Sequence, residues 1–174
     1  MNRTQRITVA VTAVFVLTII GCGYRFSPGG EHIDSRITTV YVDVFSNPTD
    51  EAYVENYIRN AFTEQFRKSR RFTLSGNRNE CDAVISGRIL TLRASHVSYT
   101  ESNIAKEDWI VMTLEAIFKE RTGKVIWENK NLSGREAYRI TGDTDRTDTH
   151  KNHAIKKLTS DLAEEAYRSI MSGF

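Results

Sequence analysis

The chain predicts an α+β fold, with two helices packed on one face of a mostly antiparallel, about four-stranded sheet. Three observations carry that expectation. Trp109–Lys119 is the clearest strand, placing Ile110, Met112, Leu114, Ala116 and Phe118 on one side. Two other segments repeat apolar residues at intervals of three and four, the stripe of an amphipathic helix. The strand-like runs between residues 82 and 139 follow one another in order, which suits an antiparallel meander. Two striped helices and one sheet bury their apolar faces against each other most simply as two layers.

The elements follow in order. Thr38–Phe45 alternates and is rich in β-branched and aromatic residues, so it is a strand. Ser46–Asp50 is a turn, and Thr49 or Asp50 offers an N-cap. Val54, Tyr57, Ile58, Ala61, Phe62 and Phe66 then form the stripe of a helix ending near Lys68. Arg67, Lys68, Arg70 and Arg71 cluster where the helix dipole favours cations, a solvated end rather than an anion site. Phe72–Leu74 is a short strand. Asp82 to about Tyr99 is a long extended or bulged strand with Gly87 inside it, and Thr100–Glu107 interrupts the pattern. Arg121-Thr122-Gly123 turns the chain from Trp109–Lys119 into Lys124–Asn131, which continues toward Arg139. Thr141–Thr149 is polar and loop-like. A last helix runs from about His150 to Met171, capped by Asp148 or Thr149, with Ile155, Leu158, Leu162, Ala166 and Ile170 on its stripe. Trp109, Val111 and Ile117 hold the opposite parity of the clearest strand. That second face is too apolar for bare solvent and is expected to meet a partner.

The N-terminus fixes the expected compartment. Arg3 and Arg6 precede an uncharged, mostly apolar run, Ile7–Ile20, that closes on Ile19-Ile20-Gly21-Cys22. These are the parts of a secretory signal, and the run falls short of the roughly 20 residues of a spanning helix. The ending resembles a bacterial lipobox, in which the cysteine after the cut is acylated. Met1–Gly21 is then a lipoprotein signal peptide, Cys22–Ser35 the lipidated N-terminus and linker, and residues 36–174 a single α+β domain. Two or more acyl chains hold a protein at a bilayer durably, at about 0.8 kcal/mol per buried methylene. An aspartate after the cysteine would retain a Gram-negative lipoprotein in the inner membrane. Gly23 stands there, so the outer membrane is expected.

Composition narrows the function classes. The whole chain carries 24 Lys+Arg against 22 Asp+Glu, and Arg3 and Arg6 leave with the signal, so the mature domain is formally neutral. Nothing recommends nucleic acid as a partner. With Cys22 lipidated, Cys81 is the remaining thiol, and its place before the run Asp82-Ala83-Val84-Ile85 predicts a buried, inert role. His150 and His153, near Asp145 and Asp148, have ligand spacing but read as a solvated helix start. His32 and His96 have no readable partner. Asp143–Asp148 alternates carboxylates without the glycine and closing glutamate of a calcium loop. No nucleophile elbow, phosphate loop or zinc-protease motif is present. The expectation is a non-enzyme without cofactor or metal.

Several short motifs in a fixed order complete the reading. They are Cys22-Gly23-Tyr24-Arg25-Phe26, Phe45-Ser46-Asn47-Pro48-Thr49 after the first strand, Asp82–Ile89 after the first helix, and Gly123-Lys124-Val125-Ile126-Trp127-Glu128 in a hairpin. Together with the terminal helix they resemble the LptE-type lipopolysaccharide-assembly lipoproteins of the Gram-negative outer membrane. The resemblance implies two helices on a four-stranded sheet. It also implies a protein that plugs and helps assemble the LptD β-barrel translocon and binds lipopolysaccharide for delivery to the outer leaflet. Ligand contact in that family is attributed to basic residues on loops at one end of the sheet. Here those loops are Thr100–Glu107 and Tyr138–Asp148, with Lys106, Arg139 and Arg146 as the corresponding cations. The same loops hold Glu101, Glu107, Asp143, Asp145 and Asp148. The alternative is an outer-membrane lipoprotein serving another envelope or secretion machine.

Overall fold

Alternation and helical stripes translate directly into two layers. A computed structural model describes residues 30, 32–96 and 107–173. Cys22, Lys106 and most of Thr100–Glu107 therefore lie outside the described residues. The elements are β1 (Thr39–Val42), α1 (Val54–Lys68), β2 (Thr73–Leu74), a single 3-10 turn (Arg78–Glu80), β3 (Ala83–His96), β4 (Glu107–Glu120), β5 (Val125–Arg139) and α2 (Thr144–Ser172). Both helices pack on one face of one sheet, so the α+β class holds.

The sequence predicts a mostly antiparallel, about four-stranded sheet. The sheet has five strands, in the order β2-β1-β3-β4-β5, and it is mixed. β1 runs parallel to both β2 and β3, while β3, β4 and β5 form the antiparallel meander. Alternation in Thr39–Val42 reports which side chains are buried and is silent on the direction of a neighbour. The direction follows from α1, which returns the chain to the starting edge before β2.

Gly87 explains how the central strand meets the core. A Cβ there would lie 2.1 Å from the Glu115 carbonyl oxygen and 2.4 Å from the Phe45 ring, so Phe45 lies directly on the backbone. Phe45 in turn stacks on Phe62 of α1, with centroids 5.1 Å apart. Beyond Gly87, β3 carries a bulge between Ile89 and Thr91. Gly134 does for α2 what Gly87 does for Phe45, because the Leu158 and Leu162 side chains fill the space above it. Phe66 closes the layer with Phe72, Phe118 and Tyr167 around it.

The stripes hold: Val54, Ile58, Phe62 and Phe66 are buried on α1, with Tyr57 and Ala61 partly buried against the same core, and Ile155, Leu158, Leu162, Ala166 and Ile170 are buried on α2. The helix starts do not. α1 begins after Tyr53, a left-handed residue (φ 67°) without a side-chain cap, instead of at Thr49 or Asp50. Asn47 organises that turn, its amide donating to the Glu51 carbonyl and the Glu55 carboxylate at 2.8 Å and its oxygen accepting from Thr49. α2 begins at Thr144, capped by Asp143, where the sequence pattern reads as a loop. Residues 144–153 bear no buried side chain, so they leave no stripe to read, and Thr147 and Thr149 instead bond back to the carbonyls of Asp143 and Asp145. Cys81 is buried, its thiol set on the Arg78 carbonyl at 3.1 Å. Burial pushes the thiol pKa up and lowers its reactive thiolate fraction.

Candidate interaction surfaces

α1 and α2 run parallel, tied by Lys151–Glu51 (2.5 Å) near their N-terminal ends and by Tyr167 Oη donating to Ser69 Oγ (2.5 Å) near their C-terminal ends. α2 also runs antiparallel to β5: Trp127 Nε1 donates to Ser169 Oγ at one end, and His150 Nδ1 lies 3.0 Å from the Arg139 carbonyl at the other. The domain therefore has two ends separated by the length of α2, 29 residues or about 44 Å.

One end receives the N-terminal segment. The Gly30 amide donates to the Met171 carbonyl at 2.6 Å, and Ile33 is buried, so packing has begun before Arg36. The Arg71 guanidinium donates to the carbonyls of Asp34 and Ile37. One oxygen of Asp82 accepts from the amides and hydroxyls of both Thr38 and Thr39 at 2.8–3.1 Å. Those donors, the backbone amides first, draw the Asp82 carboxyl from 3.8 to about 2. A carboxyl whose pKa falls on folding stabilises the fold fully above its ordinary value and loses that contribution as pH falls through the folded value. Stability should therefore drop between about pH 4 and pH 2 more steeply in wild type than in Asp82→Asn, read as urea midpoints. Parallel pH profiles would remove Asp82 from that role.

The opposite end carries two of the three cations that the resemblance implied. Arg139 is the last residue of β5 and is exposed, and Arg146 stands exposed in the first turn of α2, 3.6 Å from Asp143. They occupy the same end on different elements, with no contact between them among the described residues. A groove of about 360 Å³ beside Arg139 is lined by Glu107, Glu136, His150, His153 and Lys157. Lys157 is engaged by Glu136 (2.5 Å) and Asp161 (3.2 Å), which hold its pKa up. Beneath this end the buried Tyr138 hydroxyl donates to Asp108 at 3.3 Å, and burial followed by the Asp108 charge raises the Tyr138 pKa. No group of three metal-ligating side chains occurs among the described residues.

The sheet face away from the helices carries Trp109, Val111 and Ile117, all half-buried. Register adds residues that the sequence reading passed over. Val111 pairs with Arg93 on β3 and Arg135 on β5, so these three share one rung. The next rung, Ser95-Trp109-Ala137, lies toward the loop end, and the Arg135 guanidinium sits 4.7 Å from the Trp109 ring centre. Arg93 falls beyond the bulge at Ile89/Thr91, so its side could not be counted from the buried residues before it. Arg135 has the parity of an outward residue, a signal that could have been read once β5 was extended to Arg139.

These features define a two-layer α+β domain with an N-terminal segment at one end, the charged connection from β5 to α2 at the other and one sheet face free of helices. The family model for LptE, lipopolysaccharide assembly, matches residues 37–171, and the chain belongs to that family. Comparison with curated protein sequences finds no match. Among solved structures, a minor lipoprotein from Acinetobacter baumannii is 17% identical, with 79% of this chain and 92% of that one covered and a TM-score of 0.50. Lipoprotein B from Nitrosomonas europaea is 12% identical, over 79% and 84% of the two chains, with a TM-score of 0.53. The PelC dodecamer from Paraburkholderia phytofirmans is 11% identical, over 83% and 94%, with a TM-score of 0.51. These likenesses establish the shared fold. No helix among the described residues is long and apolar enough to cross a membrane.

Proposed function

We propose that the mature chain, acylated at Cys22, is anchored in the outer membrane, plugs and helps assemble an LptD-type β-barrel, and binds lipopolysaccharide without catalysing a reaction. The observation that carries this reading is the separation of the two ends. Gly30, eight residues after Cys22, is fixed at the C-terminal end of α2, while Arg139 and Arg146 lie at the other end, about 44 Å away. A tethered domain of that form can hold its base at one leaflet and extend its cations through a barrel lumen. Phosphate on the ligand would be met by Lys and Arg charge, with Arg able to bond it in bidentate fashion.

Neutralising Lys106, Arg139 and Arg146 together is expected to weaken capture of purified lipopolysaccharide, most strongly at low salt, where exposed charges are least screened. The variant should stay folded and barrel-bound. Undiminished capture would remove these three residues as the ligand site and leave the plug role standing. Failure of the wild-type lipoprotein to co-purify one-to-one with a large β-barrel in detergent would instead favour a role in another envelope machine.

A further inference from the structure

We propose that Arg93 and Arg135, on either side of Val111, form the centre of the barrel-facing interface, and that the wall they meet presents carboxylates. This rests on the plug reading above. Two ladder steps separate the two arginines, about 10 Å between their backbones. Across three successive rungs, Thr91-Thr113-Ser133, Arg93-Val111-Arg135 and Ser95-Trp109-Ala137, there is no acidic residue. Among the described residues neither arginine has an ion-pair partner, although basic side chains elsewhere on the domain form such pairs readily, as at Arg78–Asp43 and Lys124–Glu120. Among the described residues these two guanidinium groups on a rigid sheet are thus uncompensated and leave a positive strip for an external anion.

The chemistry around them favours a protein wall. Trp and Arg are the residue types that dominate interface hot spots, and here a Trp ring holds one guanidinium in place while half-buried Val111 and Ile117 supply apolar contact. The interior of a transmembrane barrel is polar, so a plug needs a charged, hydrogen-bonding face rather than a greasy one. A second copy of this chain is a poor occupant. An isologous contact through this face would set arginine against arginine.

The test uses the full-length lipoprotein co-expressed with the LptD-type barrel of the same organism and purified in detergent through a tag on the lipoprotein. R93E/R135E should lower the recovered barrel by about tenfold or more, and R93Q/R135Q should lower it by less, with the melting curve of the lipoprotein unchanged. The glutamine pair keeps the test valid if charge reversal disturbs folding at Trp109. Full barrel recovery with both double variants would overturn the inference while leaving the plug reading intact. Loss of lipopolysaccharide capture with barrel recovery unchanged would also overturn it, by giving this face to the ligand. A wild-type chain that recovers no barrel would overturn the plug reading and this inference together.

Discussion

Phe62→Ala should cost about 3–5 kcal/mol of folding stability, and Leu162→Ala about 2–5 kcal/mol. Phe62 is fully buried and stacked on Phe45, which itself lies against the Gly87 backbone, so the hole left by alanine is walled by residues with little room to move. Leu162 is buried over Gly134, which has no side chain of its own to fill the hole. Lys68→Ala removes an exposed side chain whose ion pair with Glu64 is 3.7 Å long, and should stay within about 0.5 kcal/mol. Urea denaturation of the domain from Gly23 onward would measure all three. Equal losses at the three positions would refute the assignment of the helix stripes to the core.

Cys22→Ala should abolish acylation and signal cleavage together. The proposed lipobox delivers its cysteine thiol for acylation before the signal is cut, so without the thiol the chain should keep Met1–Gly21 and carry no lipid. Intact-mass measurement of the membrane fraction would show the longer, unacylated precursor. A trimmed and acylated alanine variant would sink the lipobox reading, and with it the expectation of a mature chain starting at Cys22. Folding of the domain should be unaffected, because Cys22 stands eight residues before Gly30, whose amide bonds the Met171 carbonyl, and outside the core side chains.

Helix faces and strand faces were legible because burial follows a period set by local geometry, 3.6 residues for Phe62 and its neighbours and two for Ile110 through Phe118. The starts of both helices were not legible for a related reason. Tyr53 has no capping side chain, and its left-handed backbone is held by the Asn47 turn. Residues 144–153 carry no apolar stripe, so only the Asp143 cap and the threonine back-bonds reveal a helix there.

The sequence by itself determined the class of fold, the two core stripes, the buried position of Cys81 and the apolar character of the outward face of β4. Each is a property of neighbouring residues on one element. Tertiary structure decided the parallel placement of β1 between β2 and β3, the opposition of the N-terminal segment to the loop end, and the grouping of Arg93, Val111 and Arg135 on one rung. Those are relations between residues far apart in the chain. They depend on which strands pair and on a bulge that shifts register by one residue, and a one-residue shift exchanges the two faces of a sheet.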